Sequence, residues 1–261
     1  MSKKLKSNNV DRQNSEIILG GTAKSPQDAM ALHDIGLGFA EVSIGDPSSF
    51  KAAMDKWLRI QTETGLLYLA HGPKEGNPND INVLGKEFFP RVLEALEVMP
   101  ILSMPLLTLH FWMDHRFVKP NVVSFKIGLL KRITDRAYEK GIAICLENLS
   151  ENTQDLARAF DRIPHLNLTL DVGHAQLLRE TNTSIDLINA YPRRIKHIHL
   201  HDNYGGYTVK DDLHLPPGKG IVDFKTIFNS LKSIGYAGTM SLELKPQEII
   251  SCLAFINTLI F

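Results

Sequence analysis

The stretch IKHIHLHDN, residues 195–203, decides the fold. Its three histidines, His197, His199 and His201, stand at alternate positions with Ile198 and Leu200 between them. A period of two is the strand period, so the imidazoles share one face and the aliphatic side chains the other. Further short apolar runs lie on either side of it along the chain, at residues 17–20, 39–43, 66–70, 106–110, 143–147, 166–171 and 239–243. Longer helical patterns fill the intervals. SPQDAM opens one of them, with Ser25 as N-cap and Pro26 in the first helical position. Others are expected near 48–64, 90–99, 121–140, 153–163, 184–191, 224–234 and 247–258, with Gly141 stopping the fourth of these eight helices. Strands and helices in eightfold alternation imply a parallel sheet, and eight is the count that closes a barrel. A doubly wound open sheet would carry a Gly-rich phosphate turn after the first strand, and GGTAKS at 20–25 does not match that fingerprint. The expected architecture is α/β, a single (β/α)8 TIM barrel over residues 17–261, preceded by a polar N-terminal arm at 1–16.

The bulk properties narrow the function classes. A chain of 261 residues that is 43% hydrophobic fits one such domain. Lys plus Arg and Asp plus Glu both count 29, so no overall positive charge advertises nucleic-acid binding. Two cysteines are too few for a disulfide framework, which points to a reducing compartment and a cytoplasmic location. Cys145, inside IAICLE, reads as a buried small residue. Residues 1–16 lack the apolar centre of a signal peptide, and no apolar run reaches transmembrane length, so no membrane partner is expected.

The polar residues then fall into a pattern. His71 follows the third expected strand and His110 ends the fourth. Glu147 ends the fifth, Asp171 the sixth and Glu243 the eighth, with His199 near the end of the seventh. In a barrel the carboxyl rim is where active sites are built, and parallel strands are otherwise nearly continuous apolar runs. Loops add His174, three residues after Asp171, and the pair Asp212 and His214 before a Pro/Gly-rich turn. Mixed imidazole and carboxylate ligation suits zinc, manganese or iron(II) better than calcium or magnesium. Nine ligands exceed what one ion uses, so two or three ions fit, with Glu147 and Glu243 bridging. Trp112 follows His110 on the rim and is placed to stack on a flat face of a substrate. Lys219 is a candidate phosphate contact, though solvation explains it as well. Asn148 and Asp202 are expected to orient ligands. His115, Arg116, His33 and His165 read as solvated or surface residues.

The motifs LAHGP (69–73), LTLHF (107–111), CLENL (145–149), LDVGHA (170–175), HLHDN (199–203), DDLHLPPGKG (211–220) and LELKP (242–246) together resemble the xylose isomerase-like TIM-barrel superfamily over roughly residues 17–258. That superfamily includes many sugar isomerases and epimerases as well as endonuclease IV. The resemblance to the epimerases implies one Mn²⁺-like ion held by Glu147, Asp171, His199 and Glu243. The two glutamates would exchange a proton beside the substrate carbonyl, and His174 would steady the substrate. The resemblance to endonuclease IV implies three zinc ions on all nine ligands and hydrolysis of a phosphodiester. His214 favours the larger set, since many isomerase members carry arginine there. Against it, ILGGTAKS lacks that enzyme's first-strand motif, GPKEGNPND does not resemble its DNA-probing loop, and duplex binding needs phosphate-neutralising cations. The leading expectation is therefore a divalent-metal-dependent isomerase or epimerase of a small sugar or sugar phosphate, with one to three Zn or Mn ions per chain. The alternative is a multi-zinc phosphoesterase, and nucleic acid is the less favoured partner. The oligomeric state is not read from the sequence. The family pattern also sorts the three histidines of 195–203: His199 as ligand, His197 hydrogen-bonded a layer deeper, and His201 at the mouth touching substrate.

Overall fold

The computed structural model describes residues 17–260; the arm expected at 1–16 lies outside them. Eight parallel strands, β1 (Ile18–Ala23), β2 (Phe39–Ser43), β3 (Leu67–His71), β4 (Leu106–His110), β5 (Ala143–Glu147), β6 (Asn167–Asp171), β7 (Ile195–Leu200) and β8 (Thr239–Leu242), close into a barrel in sequence order. The expected barrel is therefore the observed one. Small shifts in strand ends matter at the rim. β1 runs on to Ala23, which carries Thr22 and Lys24 to the mouth, and His71 is the last residue of β3 rather than the one after it. β8 stops at Leu242, yet the Glu243 N–H still donates to the Leu200 carbonyl at 3.1 Å, so Glu243 is held at the rim.

Helices surround the barrel. They are α1 (Pro26–Asp34), α2 (Pro47–Ala52), α3 (Met54–Thr64), α4 (Ile81–Val83), α5 (Phe89–Val98), α6 (Pro120–Glu139), α7 (Thr153–Arg162), α8 (Ser184–Ala190), α9 (Phe224–Ser233) and α10 (Pro246–Ile260). Ser25 caps α1 as expected, in a capping box with Asp28. The helix expected at 48–64 is two helices, because Ala53 leaves helical geometry at φ −97°, ψ 5°. An unexpected helical start at α4, capped by Asp80, runs through a widened turn at Leu84–Phe88 into α5. Pro90 cannot donate to the Lys86 carbonyl and its ring crowds it, so the ladder opens there. Among the described residues, no helix is long and apolar enough to cross a membrane.

Ile198 and Leu200 belong to the apolar layer between strands and helices, which is the outward orientation the alternation requires. The barrel interior holds a separate plug of Phe39, Leu69, Leu106 and Cys145. Above it the filling turns polar, with the Thr108 and Thr169 hydroxyls 2.9 Å apart. Between β6 and β7 the register skips Lys196: Leu168 pairs with Ile195, but Thr169 pairs with His197. This bulge places Asp171 level with His199.

Candidate metal centre

Three groups of potential ligands lie at the carboxyl rim, and within each the donor atoms all lie within 4.8 Å of one another. The first is His71, His110 and Glu147; the second is Glu147, Asp171, His199 and Glu243; the third is His174, His201, Asp212 and His214. All nine expected ligands are thereby brought together, with His201 as a tenth. Glu147 is the hub. Its Oε2 stands 2.9 Å from His110 Nε2 and 3.4 Å from His71 Nε2, and its Oε1 stands 3.0 Å from His174 Nδ1 and 3.4 Å from His199 Nδ1.

The donor set fits a divalent cation. Both Glu147 oxygens, His110 Nε2, His174 Nδ1, His199 Nδ1, Asp212 Oδ1 and Glu243 Oε2 are buried without a hydrogen bond. They stand close to one another without good hydrogen-bond geometry, and carboxylate oxygens converging with imidazole nitrogens in this way are a donor set that suits a divalent cation. The electrostatics agree. Burial pushes the Glu147 carboxyl up, but the His110 and His199 charges overcome it and hold it well below its ordinary range. Burial lowers His199 and His174, and Glu41 and Asp171 respectively lead the carboxylates that hold them well above theirs. Metal binding exchanges such protons for an ion.

Glu41, which sequence reasoning passed over, completes the base of the site. It is fully buried in the middle of β2. Its carboxylate lies 3.0 Å from His199 Nε2 and 3.3 Å from His197 Nε2. His199 therefore keeps Nδ1 turned towards Asp171, Glu147 and Glu243. His197 lies deeper, as expected, with Nδ1 2.7 Å from the Thr239 hydroxyl. The available signal was a glutamate inside the otherwise apolar run FAEVS.

Other residues take places the sequence did not indicate. His201 is fully buried rather than open at the mouth, with Nε2 3.1 Å from Asp171 and its ring stacked on His214 at 4.0 Å. Gly173 makes that burial feasible, since a Cβ there would run into the His201 ring. His214 itself holds a left-handed backbone, φ 46°, which costs energy for a non-glycine residue and is maintained by its surroundings. Asn148 clamps Asp171 through both its backbone N–H and its carbonyl, so it does orient a ligand. Asp202 accepts instead from the Gly218, Gly220 and Val222 N–H groups, and so fixes the loop that follows Asp212 and His214. Arg116 is not merely solvated: it pairs with Asp114, and His115 pairs with Asp155. Lys219 is exposed and lines none of the three cavities at the mouth.

Trp112 is held on every side. Its indole N–H donates to the Ser150 hydroxyl at 2.8 Å, and its ring stacks on Phe117 at 4.8 Å. Its backbone N–H donates to Glu75 at 3.1 Å, and its carbonyl accepts from the buried Lys126 ammonium at 2.6 Å. With Phe117, Leu177, Tyr207 and Val209 it forms an apolar wall to a cavity of about 410 Å³ that opens onto His110, His174 and Asp212. A second cavity, of about 450 Å³, opens onto the other side of the ligand groups at His71, His110, His214 and Glu243.

Comparison with known proteins places this geometry. An L-ribulose 3-epimerase of Methylomonas sp. (strain DH-1) is 30% identical over 133 residues, which is 48% of this chain and 43% of that protein. The chain thus matches less than half the length of that relative. A solved D-tagatose 3-epimerase-like protein superposes with a TM-score of 0.76 at 22% identity, covering 93% of this chain and 96% of the other. The zinc-bound IolI protein superposes with a TM-score of 0.73 at 17% identity, covering 94% and 99%. At these identities the two structures establish the shared fold. Residues 30–256 match the sequence profile of the xylose isomerase-like TIM barrel, and the chain belongs to that family.

Proposed function

We propose that the protein is a divalent-metal-dependent isomerase or epimerase of a small sugar. One observation carries the reading: two glutamates of the rim, Glu147 and Glu243, stand in a single ligand group with Asp171 and His199, and Glu243 lines a cavity beside it. A divalent ion held by these four residues supplies Lewis acidity to a substrate carbonyl and its neighbouring hydroxyl. The chain's own residues do the rest. Glu147 projects from β5 and Glu243 from the end of β8, so their carboxylates approach a carbon held between them from different sides. One removes the proton beside the carbonyl and either returns one. His174, within reach of Asp171 and Asp212, is placed to hydrogen-bond a substrate hydroxyl. The Trp112 wall excludes water and offers a flat apolar face to a sugar ring. The epimerase relative and the zinc-bound neighbour support the same reading.

A specific observation favours a second reading. The groups built on His71 with His110, and on His174 with Asp212 and His214, offer more donors than a one-ion epimerase employs. A centre of two or three zincs hydrolysing a phosphate ester would use them all. Metal content and activity measured on one sample, purified without added metal, separate the two. The expected outcome is metal-dependent conversion of at least one ketose in a panel, with an abasic-site duplex left intact. Three zincs per chain together with nicking of that duplex would overturn the isomerase reading.

Glu41 provides a sharper test of the centre. Carboxylates behind metal-bound imidazoles fix their orientation and raise their basicity, and losing one costs about 10–100-fold in metal affinity. Glu41→Gln keeps the shape but removes the charge facing His199. Its affinity for Zn²⁺, measured by competition with a chromophoric chelator, is expected to fall by about that factor. Parent-like affinity would remove Glu41 from this role.

A further inference from the structure

We propose that the β1–β3 side of the barrel mouth is a subsite for a dianionic phosphate monoester carried by the substrate, gripped by Lys24, Lys74 and Arg91. The identity of the rest of the substrate rests on the sugar-isomerase reading; the subsite does not.

The three cations come from three separate elements and converge on one cavity of about 450 Å³. Lys24 is the first residue past β1, Lys74 stands three residues after His71, and Arg91 lies on α5. The hydroxyl residues Thr22 and Ser43 line the same space. Among the described residues, none of the three cations has a carboxylate within ion-pairing distance, whereas Arg59, Lys126, Lys131, Arg136 and Lys140 all do. Asp46 lies in the field of Arg91, but its oxygens are engaged by Ser48 and Ser49. The cavity's own carboxylates, Glu41 and Glu243, face inward to His197, His199 and His214. Arg91 is also positioned: its Nε donates to the Glu87 carbonyl at 3.2 Å and one terminal nitrogen to the Lys74 carbonyl at 3.4 Å. That tie links the guanidinium to the loop bearing Lys74 and leaves N–H groups for a ligand.

The placement of charge is one-sided. The chain as a whole is neutral, and the cavity walled by Trp112 has no Lys or Arg in its lining. His110 borders both cavities, so the ligand groups sit at their junction. A substrate with phosphate among Lys24, Lys74 and Arg91 lays its carbon chain over Glu147 and Glu243 and its far end towards Trp112. Two lysines and a planar guanidinium suit the three acceptor oxygens of a phosphate better than the two of a carboxylate.

The test compares the parent with the triple variant K24M/K74M/R91M, whose substitutions sit at exposed or half-exposed positions; thermal melting checks the fold. Inorganic phosphate is titrated calorimetrically into metal-loaded and metal-stripped protein. One ketose is assayed as the neutral sugar, as its sugar acid and as its phosphate ester. Losing several charge-assisted hydrogen bonds is expected to weaken phosphate binding about 100-fold, in stripped protein too, and to lower the ester-to-neutral ratio of kcat/KM by a similar factor, mostly through KM. Equal phosphate affinity in parent and variant would overturn the proposal, as would preference for the sugar acid. If no ketose turns over but phosphate affinity collapses in the variant, the subsite stands and the isomerase reading falls. If the neutral ketose is the best substrate and the ratio does not move, the subsite falls and the isomerase reading stands. Phosphate affinity that depends on the three cations, found together with abasic-duplex nicking, would assign them to a polymeric phosphodiester and overturn the small-molecule proposal.

Discussion

Glu147→Gln is expected to lower turnover by about 10³-fold or more, at the upper end of what a single positioned acid or base contributes. The loss exceeds that of any other single ligand because Glu147 serves two donor groups at once, one oxygen facing His71 and His110 and the other facing His174 and His199. The amide preserves volume and one acceptor but presents an N–H where a lone pair is needed. Metal content should therefore fall together with solvent-deuterium wash-in at the carbon beside the carbonyl. Glu243→Gln gives the contrast: it removes a carboxylate that belongs to one ligand group, so more metal should be retained while wash-in from one side is lost. A Glu147→Gln variant with parent-like metal content and exchange would refute the assignment of Glu147 as hub and base.

Lys126→Met is expected to be the most damaging change outside the centre. The Lys126 side chain is fully buried, 2.8 Å from a Glu75 carboxylate whose side chain is 9% exposed. Burial lowers the ammonium and raises the carboxyl, so each depends on the other to remain charged. Removing one partner of such a pair leaves an uncompensated buried charge and costs about 3–5 kcal/mol. For a chain of this size each kcal/mol shifts Tm by about 2–4 °C, so a fall of about 10 °C is expected. The double variant Lys126→Met/Glu75→Gln removes the stranded charge and should recover much of the loss, a non-additivity that urea denaturation reads directly. Since both residues hold the Trp112 backbone, indole fluorescence should shift in the single variant even below its melting transition. A single variant within 0.5 kcal/mol of the parent would show that the pair contributes little.

The fold was legible because two periodicities coincide. AICLE is apolar until its last residue and LLTLH is so but for Thr108, which is what a strand buried on both faces and ending at a functional rim should be. That rule collected six of the nine expected ligands, and His174, Asp212 and His214 were added from the loops that follow β6 and β7. It passed over Glu41 because Glu41 lies two residues before the end of β2, below the rim, and its partners are His197 and His199, more than 150 positions away. His201 was misplaced for a different reason. Strand alternation gave its face correctly, but its burial is set by Gly173 and by the bridge between Asp202 and Leu215, which fold irregular chain over it. The web of Asp114, Ser150 and Arg179 behind Trp112 likewise lies in loops, whose paths have no period to read.

The closed strand order bears on when the protein becomes competent. β8 pairs with β7 on one side and β1 on the other, so a nascent chain that has reached residue 238 still presents two bare strand edges. Such edges recruit other chains, and parallel pairings between distant segments form slowly. Glu243 emerges only after that last strand and owes its place to the Leu200 carbonyl across the β7–β8 seam. The four-residue ligand group therefore does not exist until the seam shuts. An ion captured there binds the finished barrel and not the open one, so it shifts the balance towards closure. A divalent ion bound by that group would then act as a latch on the final step of the chain's own maturation.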